Sequence, residues 1–235
     1  MKLIFLDTET TGIDVKKDRL CQLCYYKVGE EIKANYYKPP FPIPVGAMSV
    51  HHITNEMVAY KPPFQRSPSH EYLKEKLADH VMVAHNADFD AAILGNEGLQ
   101  VPRKICTLRV ARYLDDKEEI PEYKLQYLRY HFGLVLDAPA HDAKGDVIVL
   151  YAVFGKLLEL MMKKIPDEES AIEEMVRISS RPTLVKRFKF GKYKGSLVSE
   201  VATTDRGYLE WLLKEKIKTG EENSDISYTL KEYLK

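Results

Sequence analysis

The sequence predicts a mixed α/β fold, mainly a five-stranded sheet flanked by helices, with a small α+β unit at the C-terminal end. Three observations carry this. A short apolar run, Lys2 to Leu6, opens the chain and leads into acidic residues. Two strand-like runs follow, joined by Gly29-Glu30, as in a hairpin-linked meander. After them, short apolar runs alternate with amphipathic segments, the pattern of a sheet covered by helices.

Lys2 to Leu6 reads as a buried strand and Thr8 to Gly12 as a small polar turn, so the first carboxylates sit at a strand end. Leu20 to Val28 and Glu31 to Tyr37 are the second and third strands. Pro39, Pro40, Pro42 and Pro44 make the next segment irregular. Tyr72, Leu73, Lys76 and Leu77 give Ser69 to Asp79 a helical stripe, and Val81 to Ala84 is a short buried strand running into His85-Asn86. A helix over Ala87 to Glu97 stops at Gly98. Arg103 to Thr107 is the fifth strand, and Lys124 to His131 and Ala143 to Met162 are helical. Residues 1–162 thus form one domain and 163–184 a helical connector, with a helix around Ala171 to Ile178 that ends before Arg181-Pro182. Residues 185–235 form the small second domain, with a strand at Lys186 to Tyr193 and helices at Arg206 to Lys218 and Asp225 to Leu234.

A hydrophobic content of 45 % is that of a globular protein, and 235 residues suffice for one ordinary domain and a small one. The 35 Lys and Arg balance the 35 Asp and Glu, so any contact with a polyanion must come from local clustering. Cys21 and Cys24 form a Cys-x-x-Cys pair, but no second pair completes a zinc site, and on a strand positions three apart face opposite sides. Both are therefore read as core. The run Leu3 to Leu6 is shorter than the roughly 7–15 residues of an export signal, and no stretch approaches the ~18 apolar residues of a membrane span. Cytoplasmic location and no membrane partner are the expectations.

Asp7 and Glu9 are two apart on an extended segment, so both carboxylates project from one side toward one point. Hard carboxylate oxygens suit Mg²⁺ or Mn²⁺. An Asp-x-Glu pair alone is also compatible with a solvated turn; its place at the carboxyl edge of a sheet, where open α/β folds form binding crevices, favours a site. Asp88 and Asp90, two apart at a helix start, diverge and cannot both reach one metal pair.

Phe5-Leu6-Asp7-Thr8-Glu9-Thr10-Thr11-Gly12, His85-Asn86-Ala87-Asp88-Phe89-Asp90 and His141-Asp142-Ala143-Lys144-Gly145-Asp146 resemble, in order, the three motifs of the DEDDh 3′→5′ exonucleases, relatives of polymerase proofreading subunits with a ribonuclease H-like fold. The resemblance implies that Asp7, Glu9, Asp90 and Asp146 bind two Mg²⁺ or Mn²⁺ ions and that His141 is the general base. It also selects Asp90 over Asp88, which becomes a helix-start acid. His141 and Asp146 stand about 140° apart on an ideal helix, which places His141 in the entry loop after Pro139-Ala140. Two ions about 3.5–4 Å apart suit phosphodiester hydrolysis, and a neutral His with pKa near ~6.5 suits removal of a proton from water. The resemblance further implies that backbone donors around Thr10 and an apolar wedge from Ile13 hold the terminal nucleotide. His85 is a candidate for stacking on a sugar or base, with a structural strand cap as the alternative. His52-Ile53-Thr54 also resembles a family segment, but His51 stands where another residue is expected, and no role is assigned to it.

Arg181 to Gly195 carries Arg181, Lys186, Arg187, Lys189, Lys192 and Lys194 with no acid, interleaved with Phe188, Phe190 and Tyr193. Such a segment can hold phosphates and stack bases, with Lys192 and Lys194 as candidates; an alternating strand with a buried aromatic face would look the same. Phe190 to Gly195, with Gly207 to Leu212 downstream, resembles the tail of exonuclease X-like proteins. The expected activity is release of nucleoside 5′-monophosphates from DNA 3′ ends, with single strands or duplex 3′ ends as partners and association with a polymerase or repair complex as a further expectation. The alternatives are an exoribonuclease on the same site and a noncatalytic nucleic-acid-binding or polymerase-associated subunit.

Overall fold

The structure is a computed structural model that describes residues 1–116, 119–136, 143–222 and 224–235. His141 lies outside the described residues. The described chain divides into two compact units, Met1–Leu114 with Ile120–Ser179 and Asp115–Glu119 with Ser180–Lys235.

In the first unit, strands β1 (Leu3–Thr10), β2 (Leu20–Lys27) and β3 (Lys33–Tyr36) form the meander. Helices α1 (Val45–His51), α2 (Asn55–Val58) and α3 (Pro68–Lys76) come next. They are followed by β4 (Val81–Ala84), α4 (Ala87–Asn96), β5 (Lys104–Cys106), α5 (Thr107–Leu114), α6 (Leu125–His131), α7 (Ala143–Met162) and α8 (Glu168–Ser179). Among the described residues the sheet has five strands in the order β3-β2-β1-β4-β5. β2 pairs antiparallel with β1 and β3, whereas β4 is parallel to β1 and β5. β1 is therefore the central strand.

Period-two alternation divides β1 between two cores. Phe5 points into a cluster with Cys24, Val83, Ile105, Val110, Leu128, Val147 and Val153, under α5, α6 and α7. Ile4 and Leu6 point into the opposite cluster with Leu23, Met82, Leu73, Ile93 and Leu94, under α3 and α4. The helix at Glu168–Ser179 does more than connect: Ala171, Ile172, Met175 and Ile178 belong to the first cluster. Ser179 Oγ accepts the Cys106 N–H at 2.8 Å, which satisfies a donor of strand β5.

Two expectations are corrected. β1 does not give way to a turn at Thr8 but stays paired to Thr10, with Asp7 opposite Cys24, Glu9 opposite Gln22 and an irregularity between Glu9 and Thr10. In the second unit, the strand expected over Lys186 to Tyr193 is reduced to a single bridge, Arg187 with Leu197. The chain turns back through Gly191 (φ 72°) and Gly195 (φ 90°), where an extended run cannot continue. This unit otherwise consists of α9 (Val198–Thr204), α10 (Arg206–Lys218) and α11 (Asp225–Tyr233). Its core is Val185, Phe188, Val198, Val201, Leu209, Leu212 and Leu230. Cys21 and Cys24 are both buried, in different clusters, as their strand spacing requires.

Phe5 is fully buried and meets Tyr151 and Phe154 edge-on, with ring centroids 5.1 and 5.2 Å away. It ties α7 to the strand that carries the first acids. Phe5→Ala is expected to cost about 3–5 kcal/mol in chemical denaturation, from lost apolar burial together with the cavity left behind. A loss below about 1 kcal/mol would mean that this contact does not hold α7 in place.

Candidate metal centre

Asp7 and Glu9 leave β1 on the side that α7 covers, and Asp146 lies in the first turn of α7. One carboxylate oxygen from each of the three lies within 4.8 Å of the others. Thr8, between them in sequence, points the other way, and its Oγ1 donates to Asp90 Oδ1 at 2.8 Å. Asp90, on α4, is 2 % exposed. One strand thus collects acids from helices on both faces of the sheet: Asp146 directly, and Asp90 through Thr8. Gln126 on α6 donates from Nε2 to Asp146 Oδ1 at 2.6 Å.

The electrostatics are adverse without a cation. Burial, then the charges of Asp90, Glu9 and Asp146, hold the Asp7 carboxyl well above the usual carboxylate range. Burial pushes Asp90 up to about 7, against the Thr8 hydrogen bond, which acts in the other direction. Two like charges 4 Å apart repel by about 4 kcal/mol at an effective dielectric of ~20. Among the described residues the donor set is all carboxylate, which fits a hard divalent ion that keeps part of its shell for water and phosphate oxygen.

The choice between Asp88 and Asp90 has a direct structural answer. Asp88 is exposed and is held by Arg109 at 2.6 Å and Lys104 at 3.1 Å. His85 is fixed rather than free: the Thr107 hydroxyl donates to the Ala84 carbonyl, which leaves its oxygen to accept His85 Nδ1–H at 3.0 Å. Burial lowers the His85 pKa to about 4, so the ring is neutral. Ile13 is 91 % exposed in the loop after β1. That loop is organised by buried Asp18, which accepts the Thr11 hydroxyl and the Asp14 N–H, each at 2.8 Å. A Cβ at Gly12 would stand 2.5 Å from Asp18 Oδ2, so a larger residue there would have to displace the Asp18 carboxylate. The Thr10 hydroxyl donates to the Gly12 carbonyl at 2.5 Å. Lys192 and Lys194 are exposed in the second unit, and Lys192 pairs with Asp205 at 3.1 Å.

Thr8, Gln126 and Asp18 escaped the sequence reading, which noted His51 but gave it no role. His51 is buried; its Nδ1 accepts the Ile53 N–H at 3.0 Å, so Nε2–H donates to the Thr10 carbonyl at 3.1 Å. Burial lowers its pKa and keeps it neutral. It therefore anchors the chain one residue beyond Glu9. His52 takes the left-handed backbone (φ 61°) that ends α1 and sends the chain back past the His51 ring. The signal available in the sequence was a paired His just after a proline-rich segment.

A family model described as Exonuclease matches residues 4–154, and the chain belongs to that family. A second model, Exodeoxyribonuclease X-like C-terminal, matches residues 188–216. Among its relatives is Exodeoxyribonuclease 10 of Escherichia coli strain K12, 32 % identical over 99 % of this chain and 98 % of that protein. DNA polymerase III subunit epsilon of Treponema pallidum is 31 % identical over 65 % of this chain and 74 % of that one. Among solved structures, exonuclease X in complex with 5′-overhanging duplex DNA aligns with a TM-score of 0.54 at 23 % identity, covering 75 % of this chain and 99 % of that one. Exonuclease I of E. coli with a dT13 oligonucleotide aligns with a TM-score of 0.58 at 19 % identity, over 70 % and 42 %. These two likenesses establish the fold.

The electrostatics give a test. Asp90 titrates at about 7 in the folded protein against about 3.9 unfolded, so the folded state holds the extra proton between those values. The stability this group contributes is complete below about pH 4 and lost as pH rises through about 7. In EDTA at about pH 8, Asp90→Asn should melt no lower than the parent, because the Thr8 hydrogen bond persists and a buried charge is gone. The rise in Tm on adding Mg²⁺ should be larger at about pH 8 than at about pH 6, and absent in the variant. A variant that melts well below the parent in EDTA would refute the charge-strain account.

Proposed function

We propose that Asp7, Glu9, Asp90 and Asp146 hold two divalent ions, Mg²⁺ or Mn²⁺, and that His141 is the general base of a hydrolytic site releasing nucleoside 5′-monophosphates from DNA 3′ ends. The chain is a metal-dependent 3′→5′ DNA exonuclease by its family and by its full-length similarity to an exodeoxyribonuclease. The observation that carries the residue assignment is the convergence of Asp7, Glu9 and Asp146 within 4.8 Å.

When bound, the ions supply Lewis-acid stabilisation of the phosphate and of the departing 3′-oxygen. The rest falls to the chain. His141 takes a proton from the attacking water as the water oxygen bonds to phosphorus. The bond from phosphorus to the 3′-oxygen of the shortened strand breaks, so the released nucleotide keeps its 5′-phosphate. Gln126 and Thr8 fix the rotamers of Asp146 and Asp90. Ile13, offered by the Asp18-bound loop, packs against the terminal base, with backbone groups near Thr10 on the nucleotide. His85 lines the strand end, and Lys194 and Lys192 contact the backbone of the substrate.

The epsilon relative supports a place beside a DNA polymerase, and a repair complex is the other partner proposed. Among the described residues, no helix is long and apolar enough to cross a membrane. A cytoplasmic reaction is part of the proposal.

With a 5′-labelled strand and Mg²⁺, the expected product is a ladder that shortens from the 3′ end, abolished by EDTA and restored by Mg²⁺ or Mn²⁺. Discrete internal fragments would rule out an exonuclease. Asp146→Ala should abolish cleavage while the circular dichroism spectrum is unchanged; near-normal activity in the folded variant would defeat the site assignment. His141→Gln should lower kcat by about 10²–10⁴-fold with Mg²⁺ binding retained. Single-stranded DNA, duplex DNA and RNA compared in one assay decide the substrate.

A further inference from the structure

We propose that the C-terminal unit carries a base-stacking shelf, built from Trp211 and Phe190 and surrounded by lysines, that holds single-stranded DNA. The proposal rests on the exonuclease reading above and adds a second binding surface to it.

Trp211 is the chain's one tryptophan and is 55 % exposed; Phe190 is 40 % exposed. An indole left open to water forgoes the largest burial gain of any side chain, and such residues concentrate where a partner covers them. The shelf has a rigid underside. Tyr208 meets Tyr193 edge-on at 4.9 Å and Phe188 at 5.7 Å between ring centroids, and Trp211 leans on Tyr208 at 5.6 Å. Phe188 is buried and anchors the group to the core of the unit.

Asp205 fastens the loop carrying Phe190 to the helix carrying Trp211. One of its oxygens accepts the Tyr193 hydroxyl at 2.6 Å and Lys192 Nζ at 3.1 Å, and the other accepts the Tyr208 N–H at 3.1 Å and caps α10. A Cβ at Gly191 would stand 2.7 Å from the Tyr208 hydroxyl, so the loop seats directly on that ring. Lys192, read from sequence as a phosphate contact, thus also has a part in building the loop.

Charge identifies the occupant. Residues 181–195 hold six cations and no acid. Lys189, next to Phe190 in the chain, and Lys194 are exposed, Lys214 is exposed on the helix of Trp211, and Lys216 Nζ, paired with Glu221 at 2.8 Å, lies 5.2 Å from the Phe190 ring centroid. Open aromatic faces among cations suit a polyanion with unstacked bases, which is a single strand; bases within a duplex already stack on each other. An acidic protein surface would satisfy the lysines but offer nothing to the two rings.

Because Trp211 is the sole tryptophan, its emission reports on the shelf alone. The full-length chain with Mg²⁺ is titrated with a phosphorothioate-linked oligothymidylate, which resists hydrolysis, while intrinsic fluorescence and the anisotropy of a label on the oligonucleotide are followed together. Quenching of Trp211 with the same midpoint as the anisotropy change is expected. Trp211→Ala and Phe190→Ala should each weaken binding about tenfold, Trp211→Phe should restore most of it, and hydrolysis of a dinucleotide should be unchanged. Unchanged emission at full anisotropy, or alanine variants that bind as tightly as the parent, would overturn the shelf. So would sedimentation showing that Trp211→Ala alters self-association or folding while DNA binding persists. A parent chain that binds and quenches but degrades no DNA would instead refute the exonuclease reading and leave the shelf standing.

Discussion

Four carboxylates that repel one another are held at the end of one central strand, and much of the first unit is organised to keep them there. Alternation along β1 sends Asp7 and Glu9 toward α7 and Thr8 toward α4, so a single extended segment addresses acids on both faces of the sheet. Phe5, one alternation earlier, fixes α7 through aromatic contacts, and α7 in turn sets the height of Asp146. Loss of alternation in β1 would turn the acids away from each other, and no local adjustment of a side chain could bring them back.

The same strand is held at its far end by groups with no chemistry of their own. His51 takes the Thr10 carbonyl, and Asp18 gathers the loop that follows. Both are buried and fully occupied by hydrogen bonds, which is the condition under which a buried polar group stiffens its surroundings. A cleft of about 920 Å³ opens at the opposite end of β1, lined by Met1, Leu3, Tyr151 and Phe154. Its lining is about half polar, with Lys2 paired to Asp79 and Lys76 to Glu75, and it includes none of Asp7, Glu9, Asp90 and Asp146.

The architecture was legible because it follows from short-range rules: apolar and alternating runs marked the strands, a helical stripe marked α3 and Gly98 marked the end of α4. Asp7 and Glu9 stood out at a strand end, whereas Asp90 and Asp146 came from the resemblance to the family's motifs. What was not legible depended on distant partners. Helix α5 starts at Thr107 with no break after Cys106, so the sequence between them carries no boundary signal. Helices α1 and α2 are short and follow a run of prolines, and α9 contains the β-branched Val198, Val201, Thr203 and Thr204. Thr8, Gln126 and His51 contribute through hydrogen bonds to residues 82, 20 and 41 positions away, which no periodicity encodes. Lys186 to Tyr193 alternates like a strand, yet Gly191 and Gly195 divert it into a turn seated on Tyr208.

The three cysteines, Cys106 and the Cys21–Cys24 pair that first invited a metal or redox reading, are all buried. Burial pushes the Cys21 thiol up to about 12 and raises that of Cys106 as well, so neither offers a thiolate near neutral pH. The native chain is therefore silent toward alkylating reagents while folded. A single cysteine placed on its surface would be the only handle for a covalent probe, and both units could be labelled one position at a time without first removing the native thiols.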